Sequence, residues 1–168
     1  GIITFMQPLI IGVRFAEIGK VYHFDASAIP DIQVGDHVIV ETSRGKQLGE
    51  VAQLVQGAAS TPDGKTKPVD RKATPRDLVL RRKWQQKEIE ALINCRERLA
   101  NSKVTTVKIV AAEFSFDGSR LAFLYSSETE EKVDLKFLRQ EMGKVYPGTQ
   151  VDMHQVGPRD VAKLLGGM

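Results

Sequence analysis

The stretch RDLVLRRKWQQKEIEALINCRERLAN, residues 76–101, decides the fold class. Leu92, Cys95 and Leu99 fall at i, i+3 and i+7, with Trp84, Ile89 and Ala91 close to the same side. That is the spacing of one apolar face on a helix of 3.6 residues per turn. The other side carries Arg81, Arg82, Lys83, Gln86, Lys87, Glu90 and Glu97, and Asn101 ends the helix.

Upstream the period changes. Ile10–Phe15, Lys20–Phe24, His37–Thr42 and Leu48–Val55 read as short strands, and Val38 and Val40 share one face of the third. Turns fall at Glu17–Gly19, Pro30-Asp31 and Arg44-Gly45-Lys46. Gly49 marks a bulge or a close approach inside the fourth strand. Gly57–Pro75 is a linker with Asp63-Gly64 as a hairpin-tip pair, and a fifth short strand near Lys67–Arg71 closes the set. Closely punctuated short strands of this kind suggest a small curled barrel, SH3-like or OB-like.

Downstream, Val104–Phe114 is a strand that turns at Asp117-Gly118 into Arg120–Tyr125. Asp134 can cap a second helix reaching to about Gly143, with Leu135, Leu138 and Met142 facing in. Pro147-Gly148 turns the chain into a last strand, Gln150–Val156. Pro158 opens a short terminal helix that Gly166 closes. The expected fold is therefore α+β: a β-barrel-like unit over residues 1–75, then an α-β-β-α-β unit over 76–168. Met6 is a candidate native start, which would make Gly1–Phe5 a tag or cloning remnant.

The chain has 168 residues, 42% hydrophobic and 27% charged, with a formal charge of +3. That is an ordinary globular composition. No apolar run approaches the roughly 18 residues of a membrane helix, and the N-terminus lacks the charged and small-residue flanks of a signal peptide. The single cysteine, Cys95, allows no internal disulfide. One thiol and no secretion signal point to a reducing cytoplasm.

Motifs for catalysis are missing. There is no phosphate-cradling G-x-x-x-x-G-K-[ST], no dinucleotide G-x-G-x-x-G and no nucleophile elbow. His23, His37 and His154 are far apart without metal-ligand spacing, so no metal site and no catalytic residue are assigned. Cys95 lies on the apolar stripe as a small buried hydrophobe. A lone thiol cannot hold an iron–sulfur cluster, which takes four ligands. The basic run is more informative: Lys65, Lys67, Arg71, Lys72, Arg76, Arg81, Arg82 and Lys83 lie within 19 residues, opposed only by Asp70 and Asp77. Such clusters attract phosphates, and Tyr22, Phe24 and His37 could stack bases.

Three stretches together resemble a known family. They are Gly12-Val13-Arg14-Phe15 with Lys20-Val21-Tyr22-His23-Phe24-Asp25; Gly35-Asp36-His37-Val38-Ile39-Val40-Glu41-Thr42 with Arg44-Gly45 and Gly49-Glu50-Val51; and Gln155-Val156-Gly157-Pro158-Arg159-Asp160 with Ala162-Lys163 and Gly166-Gly167. They look like the polymerase-suppressor C-terminal domain family, in its bacterial YaaT/RicT-type branch. The resemblance implies a bacterial, cytoplasmic regulatory protein that is not an enzyme. By resemblance it is an adaptor that acts with two small helical protein partners to assist the endoribonuclease RNase Y in mRNA maturation, and so affects sporulation, competence and biofilm formation.

In that family the Gly-Gly pair leads into a Cys-Gly-x-x-x-Cys-Cys segment whose cysteines carry iron–sulfur clusters. This chain stops at Met168, at that border. It is either cut there or a variant without the segment, and no cofactor is expected in these residues. A second departure is Pro158, where the family is expected to carry Val. The family-motif residues expected to meet a partner are Arg14, Asp36, Arg44, Glu50, Arg159, Asp160 and Lys163. The rival function is an RNA-binding module that uses the basic 65–83 stretch.

Overall fold

The structure, a computed structural model, describes residues 8–15, 20–55 and 66–157. The Glu17–Gly19 turn, the Asp63-Gly64 tip, Lys65, the terminal helix with Arg159, Asp160 and Lys163, and Gly1–Phe5 lie outside the described residues. The fold is α+β, and the chain divides into two compact units, Gly1–Asp77 and Leu78–Met168.

The first unit holds β1 (Ile10–Arg14), β2 (Val21–Asp25), β3 (His37–Thr42), β4 (Gly45–Val55) and β5 (Val69–Lys72). They form one antiparallel sheet in the order β2-β1-β4-β3-β5. Alternation places Ile11, Val13, Val38, Val40 and Val51 in one buried cluster with Phe24 and Ile32. Gly49 is a close approach: a Cβ there would run into Val13 and the Phe15 ring. The register slips between Gly12 and Val13, so the extra residue, Ala52, bends the long strand β4.

The sheet is not a closed barrel. Its outer strands, β2 and β5, touch through one parallel bridge, Asp25 with Pro68, and the Asp25 N–H donates to the Lys67 carbonyl at 2.8 Å. The strands have only five and four residues, and among the described residues no ladder runs between them.

The second unit is built on α1 (Pro75–Ala100), whose first turn belongs to the preceding unit, followed by β6 (Val107–Phe114), β7 (Arg120–Ser127), α2 (Lys136–Val145) and β8 (Gln150–Gln155). The α-β-β-α-β order is the one the periodicity predicts. β6 and β7 are an antiparallel hairpin, while β8 pairs parallel to β7, which the intervening α2 makes possible. One core cluster holds Ala91, Cys95 and Leu99 of α1, Phe114, Leu121 and Phe123 of the hairpin, Leu138 and Met142 of α2, and Val151. Asp134 accepts the N–H of Lys136 at 2.9 Å, whereas the N-cap position of α2 is Leu135.

Ile89 is a correction. It is 61% exposed, and the buried line runs Glu88, Ala91, Cys95, Leu99. Those spacings of three, four and four place Glu88 on the inner face, and Ile89 one position on turns away.

Candidate functional site

The start of α1 is fixed by a knot of polar groups. Thr74 precedes Pro75, whose fixed φ suits the first helical position. The Asp77 carboxylate accepts the Thr74 N–H at 2.7 Å and its hydroxyl at 3.0 Å, and the Asp77 N–H donates back to the Thr74 hydroxyl at 3.3 Å. This is a capping box with Asp in the acidic place. The Arg71 guanidinium closes on the same carboxylate in a fork, at 2.5 and 3.1 Å. Arg71 and the Thr74 donors together hold the Asp77 carboxyl far below the usual carboxylate range.

The sign of the linkage follows. A depressed carboxyl contributes stability in full above its unfolded pKa of about 3.9 and loses it as the pH falls towards the folded value. Asp77→Asn is therefore expected to cost about 1–2 kcal/mol at pH 7. The difference between variant and parent should shrink below about pH 4, as urea midpoints measured from pH 7 to pH 2 would report.

Ion pairs occupy part of the basic run. Besides Arg71, Lys72 lies 3.4 Å from both Asp31 and Asp36, and Arg81 lies 3.0 Å from Glu88. Arg81 is thus not on the solvent side of the helix start, because i and i+7 share a face and Glu88 is inward. Of the seven described members, three are held by carboxylates. Lys67, Arg76, Arg82 and Lys83 are exposed. Of the aromatics considered for stacking, Phe24 is core and only 6% exposed, and Tyr22 is exposed with the Lys20 ammonium 5.5 Å from its ring centre.

The family-motif residues of the first unit fall into two places. Arg14 on β1 is directly opposite Glu50 on β4, which is opposite His37 on β3, so the three share one face of the sheet. Asp36 sits beside this row. It accepts the Gln33 N–H at 2.9 Å, and that bond, helped by Lys72, lowers its pKa. Arg44 is at the other end of β3, in the turn that Gly45 closes with φ 93°. Sequence reading proposed Arg14, Asp36 and Glu50 for a partner and His37 only for base stacking; their adjacency depends on register.

In the second unit two features escaped the sequence reading. Glu88 is largely buried; it accepts the Phe114 N–H at 2.7 Å and pairs with Arg81. Gly118, with φ 73°, lies against the Trp84 ring. An open cleft of about 580 Å³ has Tyr125, His154, Lys132, Lys136 and Arg139 in its lining. Cys95 is completely buried, and its thiol is pushed up to about 12 chiefly by that burial, so it is not a thiolate at neutral pH. Among the described residues no three His, Cys, Asp or Glu are placed to hold a metal ion. No helix among them is long and apolar enough to cross a membrane.

These features define a class: a two-unit α+β protein with surface charge rows and a long, partly apolar exposed helix. The PSP1 C-terminal conserved region matches residues 67–156, and the chain belongs to that family of regulatory proteins. It is 31% identical to the stage 0 sporulation protein YaaT of Bacillus subtilis, over 95% of this chain and 56% of that protein. It is 23% identical to an uncharacterised protein of Schizosaccharomyces pombe, over 75% of this chain and 20% of that one. The chain thus spans about half, or less, of the curated relatives it matches. No solved structure matches it.

Proposed function

We propose that this chain is the non-catalytic adaptor portion of a cytoplasmic regulatory protein that brings small helical protein partners to an RNase Y-type endoribonuclease. The observation that supports the adaptor reading over the RNA-binding one is the internal use of the basic run. Arg71, Lys72 and Arg81 are engaged by Asp77, Asp31, Asp36 and Glu88, which breaks up the continuous cationic track that a phosphate backbone needs. The polar row Arg14–Glu50–His37, with Asp36 beside it, is the proposed partner face. Opposite charges set side by side on a sheet give specificity to a protein contact rather than general attraction for phosphate. Any iron–sulfur cluster would belong to cysteines outside these residues.

The test uses the full-length protein with its purified helical partners and with RNA. Glu50→Arg is expected to weaken partner binding at least tenfold while RNA affinity stays in the non-specific range of about 10⁻⁴–10⁻⁶ M at physiological salt. Tight RNA binding that is lost on reversing Arg82 and Lys83 to Glu, with partner binding untouched by Glu50→Arg, would overturn the reading in favour of an RNA-binding module.

A further inference from the structure

Apart from Arg96, which donates to the Ile109 carbonyl, no contact among the described residues occupies the outer seam of α1. Val79, Ile89 and Ile93 are 53%, 61% and 58% exposed, on the side opposite Ala91, Cys95 and Leu99. Val79, Gln86, Ile93 and Ala100 recur every seven residues, and Arg82, Ile89 and Arg96 form the row beside them; all are exposed. These are the two seam positions of a heptad. Along one flank runs a further line of period seven, Arg76, Lys83, Glu90 and Glu97. Its sign changes at the middle: two cations, then two anions. On a single helix this order opposes the macrodipole, with cations at the N-terminus and anions at the C-terminus.

A two-fold axis near Gln86 removes the conflict. It places Lys83 of one helix beside Glu90 of another running the opposite way, and the same axis places Arg76 beside Glu97. An antiparallel seam sets one heptad position against the other, so Gln86 packs against Ile89 of the second helix, and Val79 and Ile93 lie against its row of Arg82, Ile89 and Arg96. A parallel pair would leave the charges unmatched, because the opposite flank is Leu78, Gln85, Leu92 and Leu99. Arg82 can lay its aliphatic stem along the seam with its guanidinium group in water, while the Arg96 Nε–H donates to the Ile109 carbonyl at 2.9 Å and holds that side chain at the edge of the seam. A row that changes sign about its own centre is self-complementary only under a two-fold, which identifies the occupant. We infer that α1 pairs antiparallel with α1 of a second copy of this chain.

The experiment is sedimentation of the whole 168-residue chain over a range of concentrations. The parent is expected to dimerise reversibly. Lys83→Glu and Glu90→Lys should each weaken the dimer roughly tenfold, since two like-charge contacts replace two attractive ones. Mixing the two single variants should restore a heterodimer, because each then supplies the charge the other lacks. Ile93→Asp should leave only monomer, with an unchanged far-UV spectrum showing that the chain still folds. A parent that is monomeric at about 100 µM, well above the micromolar scale of weak specific pairs, or a dimer indifferent to Lys83→Glu and Ile93→Asp, overturns the inference. Because Glu50 lies in the first unit, loss of partner binding in Glu50→Arg leaves this result untouched, and the two readings fail separately.

Discussion

Gly118→Val is expected to destabilise the protein by about 4 kcal/mol in urea unfolding. Two costs combine. Gly118 has φ 73° in the turn between β6 and β7, a region that a β-branched residue enters only at a cost of about 1–2 kcal/mol. A side chain there also drives into the Trp84 ring, and that ring cannot retreat, since it is packed 5.1 Å from the centre of Phe114. Overpacking of this sort costs about 1–3 kcal/mol. Combining Gly118→Val with Trp84→Ala should recover the steric part and leave the backbone part, a coupling of at least about 1 kcal/mol in the double-mutant cycle. Strict additivity would show that the ring is not the obstacle.

Glu88→Ala is expected to cost about 3 kcal/mol. It removes the acceptor for the Phe114 N–H and the partner of Arg81 at once, leaving two inward donors unmet. Glu88→Gln should recover part of the loss, because an amide oxygen still accepts from Phe114. The pH dependence has the opposite sign to that at Asp77. Burial outweighs Arg81 and raises the Glu88 carboxyl. Its favourable contribution is complete below the unfolded value of about 4.3 and declines as the pH rises through the folded one. Glu88→Gln should therefore remove the decline in stability just above pH 4, a decline that Asp77→Asn leaves in place.

How far the sequence could be read depended on the range of the interaction concerned. The long helix, the β6–β7 hairpin and α2 were legible because periodicity and turn residues act over a few positions. The Thr74–Asp77 capping box was also legible in principle: Thr-Pro-x-Asp before an apolar run carries the signal. Arg71 joining it depends on where β5 ends, which local pattern does not state. Glu88 was missed because its identity argued for the surface while its spacing from Ala91 and Cys95 argued for the core; spacing prevailed because Arg81 and the Phe114 amide satisfy its charge. Ile89 was the mirror error. The open sheet in place of a closed barrel turned on the lengths of β2 and β5, to which turn signals are blind. Of the proposed partner residues, Arg14 and Glu50 met only because the sheet order puts β1 against β4 rather than β3. The partners and the endoribonuclease themselves rest on family resemblance.

The parallel pairing of β8 also sets an order of events in time. β6 finds β7 across one tight turn, with Phe114 and Leu121 seven positions apart as partners, so that hairpin closes a short loop. β8 finds β7 only across thirty positions, Arg120 with Gln150, with the whole of α2 lying between them in the sequence. Closing the longer loop costs more chain entropy, and sheets joined this way assemble more slowly. As an edge strand with one neighbour, β8 is thus the last to arrive on folding and the first to leave when the second unit breathes, while the hairpin beneath it stays shut.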